Sequence, residues 1–246
     1  MIVDCVSDTH GHLPILERGD LLIIAGDLTA SDKSHQLLEF GEWMTKQDYK
    51  KKIVIGGNHD NLISAGRWHL CPPCEYGWDF EYLCDSGTEF QYEEHEPCNF
   101  CGEKNKCQRT SICGNPVTKK LKIWGSPWTK TFPGMNPHCM AFTKDTEEEL
   151  DEKFSLIPKD VDILITHSPP FAILDQTEDG RQVGSASLMA HHLCATGFRP
   201  KLWVWGHIHE AYGLDGPYQW NNTKYVNASH VNERYQPVNK PIRVIL

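Results

Sequence analysis

Six short apolar, β-branched runs recur along the chain, and each ends on a small or polar residue: "IVDCVSD", "LLIIAGD", "KIVIGGN", "KIWGS", "VDILITH" and "LWVWGH". No other feature limits the possible folds as much. Such runs read as buried strands whose polar groups begin where the strand comes into solvent. Helical spacing lies between several of them. In "SDKSHQLLEFGEWMTKQ", Leu37, Leu38, Phe40, Trp43 and Met44 share one face of a helix that Ser or Asp can cap. Weaker helical patterns cover about 145–156 and 184–195. Strands alternating with helices predict an α/β architecture. With no internal repeat and no low-complexity linker, one domain over residues 1–246 is expected.

The strand ends carry the chemistry. In order they offer Asp8 and His10, Asp27, Asn58 and His59, His167, then His207 and His209. The last two stand one residue apart in "VWGHIHE", so in an extended chain both rings point to one face. Carboxylate, imidazole and amide are donors that divalent transition metals accept. With His59 set aside the donors are too many for one ion and suit two ions that share a carboxylate. Each residue also has an ordinary reading: Asp8 and Asp27 as turn or helix caps, Asn58 in a left-handed turn, His167 in a loop. Taken jointly, metal-competent side chains at five strand ends favour a site, because the carboxyl edge of an open α/β sheet is where sites collect.

Composition narrows the partners. The formal net charge of -9 and the lack of a basic stripe make nucleic acid an unlikely partner, although a bound metal reverses the local sign of an acidic pocket. The chain has no apolar run near the ~20 residues that span a bilayer and no signal-like N-terminus, so no membrane contact and a cytoplasmic location are expected.

Seven of the ten cysteines fall between Cys71 and Cys113. Cys71-x₂-Cys74 and Cys98-x₂-Cys101 have the short spacing that lets two thiolates take adjacent corners of a zinc tetrahedron. "DFEYLCDSGTEFQYE" reads as two strands around a turn at Asp85-Ser86-Gly87, a pairing that would bring the two Cys-x₂-Cys pairs close. The first expectation is one structural zinc on Cys71, Cys74, Cys98 and Cys101, within a Cys-rich insertion at about 69–117. Cys107 and Cys113 are alternative ligands, and His69 or His95 could join a second ion. Disulfides are the competing reading, and they suit a reducing compartment poorly. The insertion is also the expected place for a protein partner to dock. Cys5, Cys139 and Cys194 read as small buried hydrophobes.

Asp8-Thr9-His10, Gly26-Asp27, Gly57-Asn58-His59-Asp60, His167 and Gly206-His207-Ile208-His209 resemble, in order, the five signature blocks of the calcineurin-like metallophosphoesterases. "LKIWGSPWT", "RPKLWVWGHIHEAYG" and "YVNAS" further resemble the metallophosphoesterase-domain-containing branch. Some members of that branch have glycine at the position of His207, where this chain has histidine. The resemblance implies a four-layer α-β-β-α sandwich of two mixed sheets. It implies one divalent ion on Asp8, His10 and His209 and a second on Asn58, His167 and His207, with Asp27 bridging them; the metals would be Mn, Fe or Zn. Hydroxide held between the ions would attack phosphorus, with His59 as general acid and Asp60 orienting its ring. The implied substrate is a nucleotide or cyclic nucleotide phosphodiester. A phosphomonoesterase, including a protein phosphatase, and a non-catalytic metal-stabilised scaffold are the alternatives. Trp124 and Trp128, flanking "GSP", read as packing residues with base stacking as the second role.

Overall fold

The computed structural model describes residues 1–66, 78–95, 116–132, 134–194, 196–219 and 221–246. Strands β1 (Ile2–Val6), β2 (Gly19–Ala25), β3 (Tyr49–Ile55) and β4 (Glu81–Tyr82) run parallel in one sheet. The C-terminal strand β13 (Ile242–Ile245) closes it antiparallel to β1, giving the order β13-β1-β2-β3-β4. In the second sheet β5 (Ser86–His95) pairs antiparallel with β6 (Pro116–Ser126). The parallel strands β9 (Ile163–Thr166), β10 (Leu202–Trp205) and β12 (Lys224–Asn227) follow, and β11 (Gly213–Asp215) forms an antiparallel edge. A small ribbon pairs β7 (Thr129–Lys130) with β8 (Thr143–Lys144). The helices are α1 (Ser34–Thr45), the short α2 (Asn61–Ser64), α3 (Glu147–Phe154) and α4 (Ala186–Leu193).

Side-chain alternation produces the layers. Val3, Ile23 and Ile53 point from the first sheet, and Ile123, Ile165 and Val204 from the second, into one shared core. The alternate residues Leu22, Ile24 and Val54 face outward onto Leu37, Phe40 and Met44 of α1. Leu164, Trp203 and Trp205 do the same on the far side, against Leu150 and Phe154 of α3 and Leu188 of α4. The result is the expected α-β-β-α sandwich of two mixed sheets, and Trp205 is a core residue as anticipated.

Polar groups secure two of the joints. Buried Lys52 on β3 donates to the carbonyls of Met44 at 2.9 Å and Gln47 at 3.1 Å, and pairs with Asp79 at 2.7 Å. A positive charge thereby adds a second donor to carbonyls at the end of α1, which also accept from the backbone N–H groups of Gln47 and Tyr49 at 3.1 Å each. Arg243 on β13 grips Asp4 of β1 through two bonds of 2.9 and 2.7 Å, and Tyr49 donates to the same carboxylate.

One local reading is corrected. β4 and β5 do not form a hairpin around Asp85-Ser86-Gly87: β4 joins the first sheet, beside β3, and β5 the second, beside β6. The chain crosses between sheets there, because each strand buries one face in a different layer. Residues 78–95, assigned above to an insertion, thus supply strands to both sheets. Cys71, Cys74, Cys98, Cys101, Cys107 and Cys113, and with them the structural zinc, lie outside the described residues. The pairing on which their proximity rested is replaced by β5–β6, which sets His95 opposite Pro116. Cys5 and Cys139 are buried, whereas Cys194 is exposed, since it follows α4 on the surface.

Candidate metal centre and active-site cavity

The ladders extend past the strand ends and pull the polar segments together. Asp8 N–H donates to Gly26 O at 2.9 Å and His10 N–H to Asp27 O at 3.0 Å, fastening the loops after β1 and β2. Ala141 N–H donates to Asn58 O at 3.1 Å. His167, after β9, bonds through Nδ1 to Ala25 O at 2.8 Å, and so ties the second sheet to the first. The segment after β10 passes so close to Asp8 that a Cβ at Gly206 would stand 2.0 Å from the Asp8 carboxylate. Only glycine permits that approach. It lets the His207 N–H bond the Asp8 carboxylate at 3.0 Å, with the Ser229 hydroxyl donating to the same oxygen at 2.9 Å.

Asp8, His10, Asp27 and His207 all have left-handed backbones, with φ of 50°, 42°, 55° and 69°. Each such conformation costs about 1–3 kcal/mol for a residue with a Cβ and persists where the surroundings enforce it. Four of them around one point mark a place where side-chain aim outweighs backbone comfort.

Among the described residues, three groups each bring their donor atoms within 4.8 Å of one another: Asp8, His10 and His209; His10, Asp27 and His59; and Asp8, Asp27 and His167. Asn58 Oδ1 lies 3.1 Å from His167 Nε2, which places it beside the third group. His207 stands apart. Its ring is 5.1 Å from that of His167 and lines the adjoining cavity, but its nitrogens join none of these groups.

The electrostatics suit cations. Burial acts to raise the pKa of Asp8, yet the hydrogen bond and charge of His209 hold it below the usual carboxylate range. Asp27 behaves likewise: burial is opposed by His167, His59 and His10, and the carboxyl is held well down. Burial lowers His207 to about 3 and His10 to about 4, leaving neutral imidazoles that can ligate. Burial also opposes charge on His167, but the Asp27 carboxylate prevails and raises it to about 9. No described lysine or arginine pairs with Asp8 or Asp27, whose ion-pair partners are all histidines. The buried Nε2 of His10 has no hydrogen-bond partner. Two buried carboxylates whose ion-pair partners among the described residues are imidazoles alone, and an imidazole nitrogen without a hydrogen-bond partner, fit divalent metal ions. The nitrogens remote from the centre are already held, Nδ1 of His167 by Ala25 O and Nδ1 of His209 by Asn232 O at 3.1 Å. That is how ligand histidines are usually aimed.

His59 is half-buried, with Nε2 3.9 Å from Asp27 and Nδ1 3.4 Å from the Cys139 sulfur. Asp60 does not orient it. The Asp60 carboxylate is buried and accepts from the backbone N–H groups of Gly57, Asp27 and Leu28 at 2.8, 3.0 and 3.0 Å. Burial, followed by repulsion from Asp27, raises its pKa to about 8, with the amide bonds acting against the rise. Its observed work is to brace the loops that carry Asp27 and Asn58.

Tyr235 escaped the sequence reading. Its ring lies 4.8 Å from His10 and 5.4 Å from His209, edge-on to both. It reaches them from the Asn232 turn, whose carbonyl also holds His209. No strand-end signal marks it.

These groups open onto a cavity of about 710 Å³ that His59, His207 and Tyr235 share with Phe132, Phe171 and Val183. Trp124 and Trp128 do not line it; Trp128 donates to Asp85 at 2.7 Å and packs between the cores. No helix among the described residues is long and apolar enough to cross a membrane.

Comparison with known proteins agrees with this architecture. The human and mouse proteins named metallophosphoesterase domain-containing protein 1 are each 35% identical over 257 residues, covering 98% of this chain and 70% of theirs. Part of an Emericella nidulans protein named probable rhamnogalacturonate lyase C is 34% identical over 214 residues, 87% of this chain but 17% of that one. TT1561 of Thermus thermophilus, a crystal structure, shares the fold at a TM-score of 0.50 and 16% identity, with 92% of this chain and 88% of that one covered. Residues 1–211 match the family described as calcineurin-like phosphoesterase. Strand ends meeting at one edge of a two-sheet sandwich, and a sequence match over most of the chain, have the same explanation: the protein is a member of the calcineurin-like phosphoesterase family.

Proposed function

We propose that the protein is a dinuclear-metal phosphoesterase that hydrolyses phosphodiesters, with a nucleotide or cyclic nucleotide as substrate. The observation that carries this reading is that the donor groups overlap, with Asp27 grouped both with His10 and with His167, beside a cavity far larger than a phosphate group needs. Asp8, His10 and His209 would hold one ion; Asn58, His167 and His207 the other; Asp27 both. Mn, Fe or Zn each suit such an oxygen and nitrogen set, and manganese is the first choice for reconstitution. His207, whose ring lies 5.1 Å from that of His167, would have to turn or move to complete the second group. Bound there, two divalent ions would neutralise the ester's charge and lower the pKa of a water molecule toward neutrality.

The chain's own residues do the rest. The His207 N–H and the Ser229 hydroxyl fix the Asp8 carboxylate, and Asp60 fixes the loops that carry Asp27 and Asn58. His59 faces the cavity and is placed to give a proton to the departing alkoxide, so that water and diester become monoester and alcohol. Hydrolysis of bis-p-nitrophenyl phosphate against p-nitrophenyl phosphate by manganese-loaded protein tests the reading. The diester should turn over at least tenfold faster, and a chelator should abolish it. Preference for the monoester would make the protein a phosphomonoesterase, and no turnover of either would make it a scaffold.

A further inference from the structure

The cavity beside the donor groups has a wall that the hydrolytic reading leaves unused. Phe132 is 55% exposed, and Phe171 and Val183 are each 40% exposed. All three line the same cavity as His59 and His207.

Their mounts are fixed. Phe171 N–H donates to Ser185 O at 3.0 Å. Buried Asp175 accepts from the N–H groups of Ala172 and Gly184 at 3.0 and 2.9 Å, and its carbonyl accepts from Val183 N–H at 3.2 Å. The Leu174 carbonyl is gripped by Trp205 Nε1 on β10 and Asn227 Nδ2 on β12, at 3.3 and 3.2 Å. A Cβ at Gly184 would lie 2.4 Å from Pro170 O, so the two arms of this loop are in close contact. On the other lining segment, Thr131 N–H donates to Lys144 O at 2.9 Å and the Phe132 carbonyl accepts from Met135 N–H at 3.0 Å. Large apolar side chains held open to solvent on rigid backbone form a preorganised apolar surface, which is what a binding pocket presents.

The wall's cations are already committed. Arg181 pairs with Asp179 at 2.7 Å and Lys130 with Glu147 at 3.4 Å. Among the described lining residues, each lysine and arginine thus already has a carboxylate partner that a second phosphate would have to displace. Exposed apolar area beside cations that already have carboxylate partners favours an ester with one negative charge and a flat, apolar arm.

We propose, resting on the phosphodiesterase reading, that Phe132, Phe171 and Val183 form a subsite that receives an aromatic ring on one arm of a phosphodiester bearing no second phosphate. Burying a ring against these phenylalanines contributes through apolar area and through ring–ring contact.

The test keeps the leaving group constant. Manganese-loaded protein is given methyl, phenyl and thymidine-5′ p-nitrophenyl phosphate, and a thymidine ester bearing an added 3′-phosphate. Phenyl and thymidine esters should show KM values at least tenfold below that of the methyl ester, and the 3′-phosphate should bring no improvement. In Phe132→Ser and Phe171→Ser, which alter exposed side chains, the ratio of methyl to phenyl KM should collapse toward one. Equal KM values for methyl and phenyl esters in the parent protein, a ratio unmoved by both substitutions, or tighter use of the 3′-phosphate would each overturn the subsite. If none of the esters is hydrolysed, the phosphodiesterase reading has failed, and calorimetry still decides the subsite. Phenylphosphonate should bind the manganese-loaded protein at least tenfold more tightly than methylphosphonate, and equal binding would refute it.

Discussion

His59 is near enough to His10 and Asp27 to share an ion with them, yet it also faces the cavity where a leaving group would depart. These two roles give different outcomes on substitution. As a proton donor, His59→Ala should retain two metal equivalents by elemental analysis and lose ~10²–10⁴ in kcat on an alkyl ester, with under about a tenfold loss on a p-nitrophenyl ester. Loss of one metal equivalent, or an equal loss on both esters, would identify a ligand instead. The neighbouring residues show what was legible. Asp8, His10 and His209 stand out in the sequence because strand ends bring such donors to one edge, and the structure groups those three. Asp60 stands next to His59 in sequence, but its partners are backbone amides from two loops, which sequence adjacency does not reveal. Tyr235 lies in a turn without apolar period, and only folding carries it to His10.

Among the elements, the joint between β3 and α1 depends on one buried cation. Lys52 gives α1 a charged cap from outside the helix, so its loss would leave the carbonyls of Met44, Thr45 and Gln47 without that donor. Lys52→Met keeps the apolar stem and removes the donor. It should destabilise the fold by about 2–3 kcal/mol, read as a lower urea midpoint with an unchanged slope. A change below about 0.5 kcal/mol would mean that the backbone N–H donors and water suffice for those carbonyls. Helical period placed α3 and α4 to within two residues at each end, because burial of one stripe against a sheet is written into spacing. The β4–β5 crossing was misread for a related reason. Strand propensity marks a segment as fit for a sheet but does not name its partner, and a short turn-like linker can join two sheets as well as two neighbours.

At the scale of the whole molecule, the donor cluster links residues from position 8 to position 209, so a divalent ion there binds the folded chain and not the unfolded one. Each site filled at a hundred times its Kd would add about 2.7 kcal/mol to stability. For a chain of this size that is roughly 5–10 °C in Tm per site, removed by chelator. Manganese should therefore raise the melting temperature of the stripped protein, and Asp27→Ala should abolish most of the rise. A stripped protein whose Tm ignores divalent ions would contradict the metal centre without reference to any substrate.

The sequence by itself determined the α/β class, the six principal strands and the donors at their ends, since burial period and the change from apolar to polar are properties of neighbouring residues. Tertiary structure alone decided which donors meet, that Asp60 braces loops, that Tyr235 and the Phe132, Phe171 and Val183 wall border the site, and that β4 and β5 part company. Each of those depends on distances between segments far apart in the chain, and such distances are set by how two sheets pack face to face.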